Sequence, residues 1–201
     1  MRRRLDPDER RKEILQAAAR VFSGRPYDEV HVDEIAREAD ASRALVNHYF
    51  GDKRGLFLAV ARTIVDRFPT RVPSDLTDLD PAEMVAANTA AWLDAVEAAS
   101  ETFLAFAGAG GPIGRDAELE ALQNEFRDRV ATRMLVNHLG TTEIPPTALF
   151  TMRATIGLIE RAAIDWIADK GPTRAQTHAL IVTAILATVR EILPAVEAAE
   201  E

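Results

Sequence analysis

The chain has 201 residues, of which 47% are hydrophobic and 28% are charged, a composition typical of a globular protein. A chain of this length forms one or two domains and buries enough apolar surface to fold without disulfides. It contains no cysteine, which excludes disulfides, thiolate metal sites and a cysteine nucleophile.

The net charge of −8 is distributed unevenly along the chain. Residues 1–68 hold 14 Lys or Arg and 12 Asp or Glu, a net charge of +2, whereas residues 69–201 carry −10. An acidic chain argues against nucleic acid as a partner, but this asymmetry is typical of a nucleic-acid-binding module joined to another domain. A solvated surface of mixed charge gives +2 equally well, so charge alone leaves both interpretations open.

The sequence predicts no membrane-spanning or export segment. The longest apolar stretch, Ala179–Val189, is interrupted by two threonines and is shorter than the ~18 residues that a spanning helix needs. The basic start is followed by acidic residues at Asp6, Asp8 and Glu9, where a signal peptide would have an apolar core. We therefore expect a cytoplasmic protein, which the absence of cysteine also favours.

The first helix signal lies at the N-terminus. Asp6 is suited to be an N-cap, Pro7 to be the first helical residue and Glu9 to complete a capping box. Apolar residues then recur at helical spacing: Ile14, Leu15, Ala18, Val21 and Phe22. Gly24 is expected to form a left-handed C-cap, and Pro26 cannot continue the helix. The preceding run Arg2–Arg4 is either a solvated tail or an arm that contacts phosphate.

The most informative segment runs from Val32 to Lys53. It predicts a short amphipathic helix at Val32–Glu38, a turn at Asp40 and Ala41, and a second short helix capped by Ser42. Two helices of this length joined by a short turn form a helix-turn-helix. The expected inward positions are Ile35, Ala36, Ala39, Val46 and Tyr49.

The second short helix leaves five residues outside the predicted packing surface: Arg43, Ala44, Leu45, Asn47 and His48. Arg43 and Asn47 are one turn apart on one face, where Arg suits guanine and Asn suits adenine in the major groove. Ser42 and the first amides of the helix suit a phosphate. These residues could also be ordinary surface residues, and the buried positions around them favour the recognition role.

The next helix begins after Asp52, which is suited to cap it. Its first turn contains Lys53 and Arg54, and cations there are unfavourable beside a helix N-terminus. A bound phosphate would compensate for them. The helix is expected to extend to about Phe68 and to connect two domains.

Three further long helices are predicted. One follows the start signal Asp80–Glu83, one spans Asp116–Leu139 and one spans Pro145–Ala168; a capping box at Thr173 opens a last helix. The segment Pro69–Pro81 is rich in Pro, Asp and Thr and coincides with the change in charge. We predict an all-α protein of about nine helices, with one domain at residues 8–68 and a second at residues 69–201.

Residues 8–62 resemble the DNA-binding domain of the tetracycline-repressor (TetR) family. The resemblance rests on EILQAAARVFSGRPYDEVHVDEIA and ASRALVNHYFGDKRGLF, and its most specific part runs from Phe50 to Phe57. It implies a helix-turn-helix at about residues 32–51, with Ser42, Tyr49 and Lys53 on phosphate and Arg43, Ala44, Asn47 and His48 nearest base edges. Three positions depart from the family pattern. Asp40 replaces a turn glycine, His31 replaces a phosphate-binding threonine, and Asn47 replaces an aromatic residue.

The resemblance also implies partners for the second domain. The last two helices, at about residues 145–168 and 173–199, would pair with their copies into a homodimer, which presents two recognition helices to a pseudo-palindromic operator. Aromatic residues of this domain either pack in its core or line a cavity for a small apolar or weakly polar effector: Trp92, Phe103, Phe106, Phe126, Phe150 and Trp166. The implied function is a ligand-responsive repressor; an activator or an architectural DNA-binding protein without an effector is the alternative.

Other patterns favour neither catalysis nor cofactors. No two of His31, His48, His138 and His178 have the spacing of a helical metal site. The segment Gly108–Gly114 lacks the Lys and Ser or Thr of a phosphate-binding loop and is predicted to be a connector. We find no nucleophile paired with a base, so an all-α enzyme or carrier is the weakest interpretation.

Overall fold

The computed structural model of the chain describes residues 6–67, 80–107 and 116–199, and this part contains helices and no strand. Its nine helices are α1 (Pro7–Ser23), α2 (Val32–Glu38), α3 (Arg43–Phe50), α4 (Lys53–Arg67), α5 (Pro81–Ala98), α6 (Ser100–Ala107), α7 (Ala117–Leu139), α8 (Pro146–Ile167) and α9 (Arg174–Ala198). A π-helical turn at Thr188–Ile192 interrupts α9. The predicted all-α class is confirmed.

The predicted helix starts are confirmed by their caps. The Asp6 carboxylate accepts a hydrogen bond from the Asp8 N–H at 3.1 Å, and Asp80 accepts one from Ala82 at 2.7 Å. Thr173 and Gln176 form the reciprocal capping box at the start of α9. These side chains satisfy N–H groups that have no partner inside the helix.

The expected left-handed conformation at Gly24 is wrong. Gly24 has φ −103° and ψ −2°, and its N–H donates to the Val21 carbonyl at 3.3 Å. The last turn of α1 therefore closes by a tight right-handed turn, and Pro26 then prevents further helix.

Contacts divide the chain into two units. The first contains Met1–Arg67 and Ala99–Leu122, and the second contains Phe68–Ala98 and Gln123–Glu201. The described residues 99–107 and 116–122 group with the N-terminal unit, and the predicted second domain at residues 69–201 stays a prediction. The arginine run Arg2–Arg4, most of the proposed boundary at Pro69–Pro81 and the Gly108–Gly114 connector lie outside the described residues.

The core of the first unit is built around α1, which contacts α2, α4 and α6. Three aromatic rings form its centre. The Phe22 ring lies 5.2 Å from that of Phe57 and 5.9 Å from that of Tyr27, with the Tyr27 and Phe57 rings 5.3 Å apart. Because these rings come from α1, α4 and the short 3-10 turn Tyr27–Glu29, they hold the supporting helices of the helix-turn-helix together.

Two buried clusters lie among the described residues of the second unit. One joins α7, α8 and the end of α9 through Ala131, Leu135, Met152, Ile156 and Leu193, together with Ala148. The other joins α5, α8 and α9 through Leu93, Ile159, Ile181 and Ile185. Both clusters pack one side of α8 and α9, which leaves another side of each helix outside the core.

The helix Arg174–Ala198 is long and apolar enough, by length and composition, to cross a membrane. The most apolar 18 residues of this helix have a mean hydropathy of 1.9, and 22% of them are buried. The sequence-based expectation that no segment reaches this length is therefore wrong, because it considered only the uninterrupted apolar stretch. The helix is 25 residues long, and its low burial identifies a largely uncovered apolar element.

Candidate nucleic-acid interface

The two helices of the predicted motif have the expected bounds and the expected buried side. Ile35, Ala36, Ala39 and Val46 are all buried. Asp40 takes the left-handed conformation, with φ 48°, and the Ala41 N–H donates to the Ala36 carbonyl at 2.8 Å. Asp tolerates this conformation better than most residues, so the turn forms without the usual glycine.

Ser42 caps the second helix of the motif as predicted. Its Oγ accepts a hydrogen bond from the Leu45 N–H at 3.2 Å, and its own backbone is extended. By contrast, His31 precedes α2 without making a side-chain cap. Its ring is exposed, so the hydrogen bond that a threonine would make at this position is absent from the start of α2.

The side chains of α3 divide as the spacing predicts except at Leu45, which was expected outside, and Tyr49, which was expected inward. Exposed residues occupy one side: Ser42, Arg43, Ala44, Asn47 and His48. Leu45 and Tyr49 are half-buried, and the Tyr49 ring lies between those of His48 and Phe50 at 5.5 and 6.2 Å. The structure thus brings the predicted base-reading residues together on one open surface.

Arg43 has a partner that the sequence did not predict. Its Nη1 donates to Asp33 Oδ2 at 2.9 Å, and both side chains are more than half exposed. The pair joins the first turn of α2 to the first turn of α3. Ten residues separate the two positions, so no helical spacing rule indicates the contact.

Lys53 lies beside the short 3-10 turn. Its Nζ donates to the carbonyls of Tyr27 and Asp28 at 3.1 and 3.4 Å and lies 4.4 Å from the centre of the Tyr27 ring. Burial, with a smaller contribution from Asp52, raises the pKa of the Tyr27 hydroxyl. A phosphate contact by Lys53 stays a prediction, and it would use the remaining donor of the ammonium group.

The positive charge of Arg54 at the start of α4 is balanced by carboxylates of the same chain, whereas the sequence suggested a bound phosphate. Arg54 Nε and Nη2 donate to the Asp116 carboxylate, and Nη2 also lies 3.1 Å from Glu118 Oε2. The hydrogen bond from Arg54 lowers the pKa of Asp116 to about 2, and that with Asp116 raises the pKa of Arg54. These partners lie more than 60 residues from Arg54, too far for a local pattern to reveal.

The start of α4 also depends on a close backbone approach. Asp52 caps the helix by accepting from the Gly55 N–H at 2.7 Å. A Cβ atom on Gly55 would lie 2.2 Å from the Phe50 carbonyl oxygen. Gly55 is therefore needed for α3 to turn directly into α4, a role that no local sequence pattern indicated.

The six candidate effector residues are divided between the two units. Phe103 and Phe106 belong to the first unit, and the other four belong to the second. Trp92 and Trp166 pack against the cluster around Leu93 and Ile159, whereas Phe150 is 66% exposed. An effector cavity stays a prediction. Among the described residues, no group of His, Asp and Glu could hold a metal ion.

Comparison with known proteins agrees with this geometry. Residues 14–60 match the family model described as "Bacterial regulatory proteins, tetR family". The transcriptional activator FasR of Mycolicibacterium smegmatis is 36% identical over 101 residues, which cover 50% of this chain and 46% of FasR. The regulator BetI of Brucella melitensis is 36% identical over 98 residues, or 48% and 50% of the two chains. This chain thus matches half or less of the length of these relatives.

Solved structures match over most of the chain. A tetR-family regulator from Streptomyces coelicolor aligns with TM-score 0.73 and 28% identity, covering 98% of this chain and 85% of that one. FadR of Bacillus subtilis, solved in complex with stearoyl-CoA, has the same fold with TM-score 0.64 and 17% identity, covering 89% and 97%.

The fold and the motif define an all-helical protein with an N-terminal helix-turn-helix. Residues 14–60 match the tetR family of bacterial regulatory proteins, and the chain as a whole is similar in fold to a tetR-family regulator.

Proposed function

We propose that the chain is a transcriptional regulator that binds a pseudo-palindromic DNA operator as a homodimer. The exposed face of α3 carries this proposal, because Arg43, Asn47 and His48 stand together on a frame of buried residues. Of the 32 Asp and Glu residues of the chain, 20 lie in residues 69–201, outside this region. The α3 face is therefore the part suited to the major groove.

The residues of the motif divide between two kinds of contact. Ser42, Tyr49 and Lys53 are assigned to phosphate, which fixes the register of the protein on DNA. Arg43, Ala44, Asn47 and His48 are assigned to base edges, with Leu45 beside them. Arg43 donates to guanine and Asn47 pairs with adenine in this assignment.

The second copy of the chain is assigned to the uncovered sides of α8 and α9. On α8 the exposed residues Phe150, Ala154, Gly157 and Leu158 recur at helical spacing, and Leu180 of α9 is also exposed. A Cβ on Gly157 would meet nothing within 4 Å, so small residues leave room for close approach. In an isologous pairing, both subunits bury the same faces, so the interface contains two copies of each.

The effector is proposed to be a small apolar or weakly polar molecule held by the second domain. Support comes from the aromatic residues of this domain; in the FadR neighbour, solved with stearoyl-CoA, only the acyl chain of the ligand is apolar. An effector shifts the population between DNA-binding and non-binding states only as far as it binds one state better. We assign repression as the regulatory outcome and the cytoplasm as the location.

Activation is the second candidate, because FasR is named as an activator. Transcription from a reporter carrying the operator distinguishes the two: a repressor lowers the signal and an activator raises it.

Selection of duplexes from a random library by the purified protein at about 0.1 M salt tests the proposal. We expect an enriched pseudo-palindrome, with half-sites about 34–36 Å apart or a multiple of that spacing. Failure of folded protein to enrich any sequence, both alone and with a small-molecule extract, would contradict it.

A further inference from the structure

The ion pair between Asp33 and Arg43 differs from the other ion pairs of α2. This helix has three carboxylates, Asp33, Glu34 and Glu38. Glu38 pairs with Arg20 in the last turn of α1 at 3.0 Å, and Glu34 pairs with Arg25, just after the end of α1, at 3.0 Å. Asp33 instead binds Arg43 of α3 at 2.9 Å. One carboxylate therefore stands directly beside the arginine assigned to base reading.

This arrangement is not explained by stability. The Arg43 and Asp33 side chains are 63% and 57% exposed, and exposed ion pairs contribute little to folding. A carboxylate at the protein surface that faces DNA also repels phosphate, which weakens binding to every sequence alike. The Asp33 carboxylate therefore lowers the affinity for DNA, and it is of use there only if it improves discrimination between sequences.

The chemistry of the guanidinium supplies that benefit. Arginine has five N–H donors in a planar fork, and the bond to Asp33 uses Nη1. The carboxylate holds the side chain in one orientation and offsets its charge. A pair of this kind attracts phosphate weakly, yet its remaining donors can still bind the O6 and N7 atoms of guanine.

We infer that Asp33 is a positioning residue that sets the sequence specificity of Arg43, by aiming its guanidinium at base edges and withholding its charge from phosphate. The inference rests on the proposed function. It adds a residue of α2, outside the recognition helix, to the determinants of operator choice.

The test compares two duplexes: the one that wild-type protein enriches, and a scrambled duplex of equal length and composition. In Asp33→Ala, Arg43 is free to contact phosphate. We expect several-fold tighter binding to the scrambled duplex, a salt dependence of log K steeper by about 1, and a specificity ratio about tenfold lower. Asp33→Asn, which keeps the shape and removes the charge, should lower the ratio in the same direction.

Two controls separate positioning from net charge. Glu38→Ala makes the same change in charge and also breaks an ion pair between helices, and it should leave the specificity ratio within twofold of wild type. In an Arg43→Ala background, Asp33→Ala should no longer change the ratio. Thermal melting of each variant checks that the domain is folded, and Asp33→Asn gives the decisive comparison if Asp33→Ala unfolds.

An unchanged specificity ratio in both Asp33 variants would overturn the inference. So would an Asp33→Ala substitution that lowers the ratio as much in the Arg43→Ala background as in wild type. Each of these outcomes requires wild-type protein to discriminate between the two duplexes. If wild-type protein binds both equally, the proposed function fails first, and the inference fails with it.

Discussion

Arg54 at the start of α4 holds Asp116 at the start of α7 through two parallel hydrogen bonds, from Nε and Nη2 to the two carboxylate oxygens. Asp116 also caps α7, accepting from the N–H groups of Glu118 and Leu119 at 3.0 and 3.1 Å. Its side chain is 7% exposed. The same carboxylate therefore orders the first turn of α7 and ties it to the first turn of α4.

This pair predicts a pH-dependent stability in acid. The pKa of Asp116 is lowered from 3.8 to about 2, so its ionised form stabilises the folded state above pH 4, and that contribution is lost as the pH falls from about 4 to 2. Asp116→Asn keeps a good cap and removes the ion pair, so we expect a loss of up to about 1 kcal/mol at pH 7. Its unfolding free energy should then fall less than that of wild type between pH 5 and 2.

Urea unfolding at several pH values measures this difference. Arg54→Gln is the matched control, because it removes the partner that lowers the pKa and should flatten the same acid limb. Parallel pH profiles for wild type and Asp116→Asn would show that the pair does not contribute to stability.

Substitutions of Arg43 and Lys53 are predicted to weaken DNA binding in different ways. Arg43→Ala should cost about 1–3 kcal/mol on the enriched duplex and relax the preference at one base pair in each half-site. Lys53→Ala should weaken all duplexes alike and reduce the salt slope by about 1, as loss of a phosphate contact does. Fluorescence anisotropy on matched and singly substituted duplexes separates the two patterns, and an equal loss on every sequence from Arg43→Ala would assign Arg43 to phosphate.

The helix starts and the buried side of the motif were predictable because their causes are local. Asp6, Ser42 and Thr173 cap helices through N–H groups two or three residues away, and Ile35 and Val46 follow from helical spacing. The break between α5 and α6 at Ala99 was missed because neither glycine nor proline marks it.

The tertiary partners of the motif could not be predicted in this way. Arg54 meets Asp116, and Lys53 meets the carbonyls of Tyr27 and Asp28, contacts that arise only once distant segments have packed. The local sequence pattern indicates that a cation at this helix N-terminus is unfavourable, and it therefore suggested phosphate as the partner of Arg54. It does not indicate the acids, which are distant in the sequence and approach only in the folded chain.

Gly55 is predicted to tolerate no side chain. A Cβ at this position would lie 2.2 Å from the Phe50 carbonyl oxygen, and backbone cannot move away as a flexible side chain would. Gly55→Ala should destabilise the protein by about 1–3 kcal/mol, the usual cost of overpacking. In Gly24→Ala the nearest atom is the Arg20 carbonyl oxygen at 3.8 Å, an ordinary contact, so this control should change stability by less than about 0.5 kcal/mol. Thermal unfolding of the two variants makes the comparison, and equal midpoints would contradict the close approach.

The exposed apolar side of α8 and α9 gives a prediction about assembly. Leu180 is exposed in the single chain, and burying a leucine contributes about 1.5–3 kcal/mol. An isologous interface uses it twice, so Leu180→Ser should weaken dimerisation by about 100-fold or more. Sedimentation over a range of concentrations measures this change. Leu139→Ser removes another exposed leucine of the second unit, outside the proposed interface, and should leave the dimer intact.

Substitution of Phe150 distinguishes a role in the dimer interface from a role in an effector cavity. This residue was a candidate for the effector cavity, but its 66% exposure and its position on the same side of α8 as Leu158 favour a place in the dimer interface. Phe150→Ser should therefore weaken dimerisation, and with it the affinity for a two-half-site duplex, because one subunit then binds one half-site. Binding to an isolated half-site should be unchanged. A Phe150→Ser protein that remains dimeric but no longer responds to an effector would instead assign this ring to the cavity and require another residue to fill the interface.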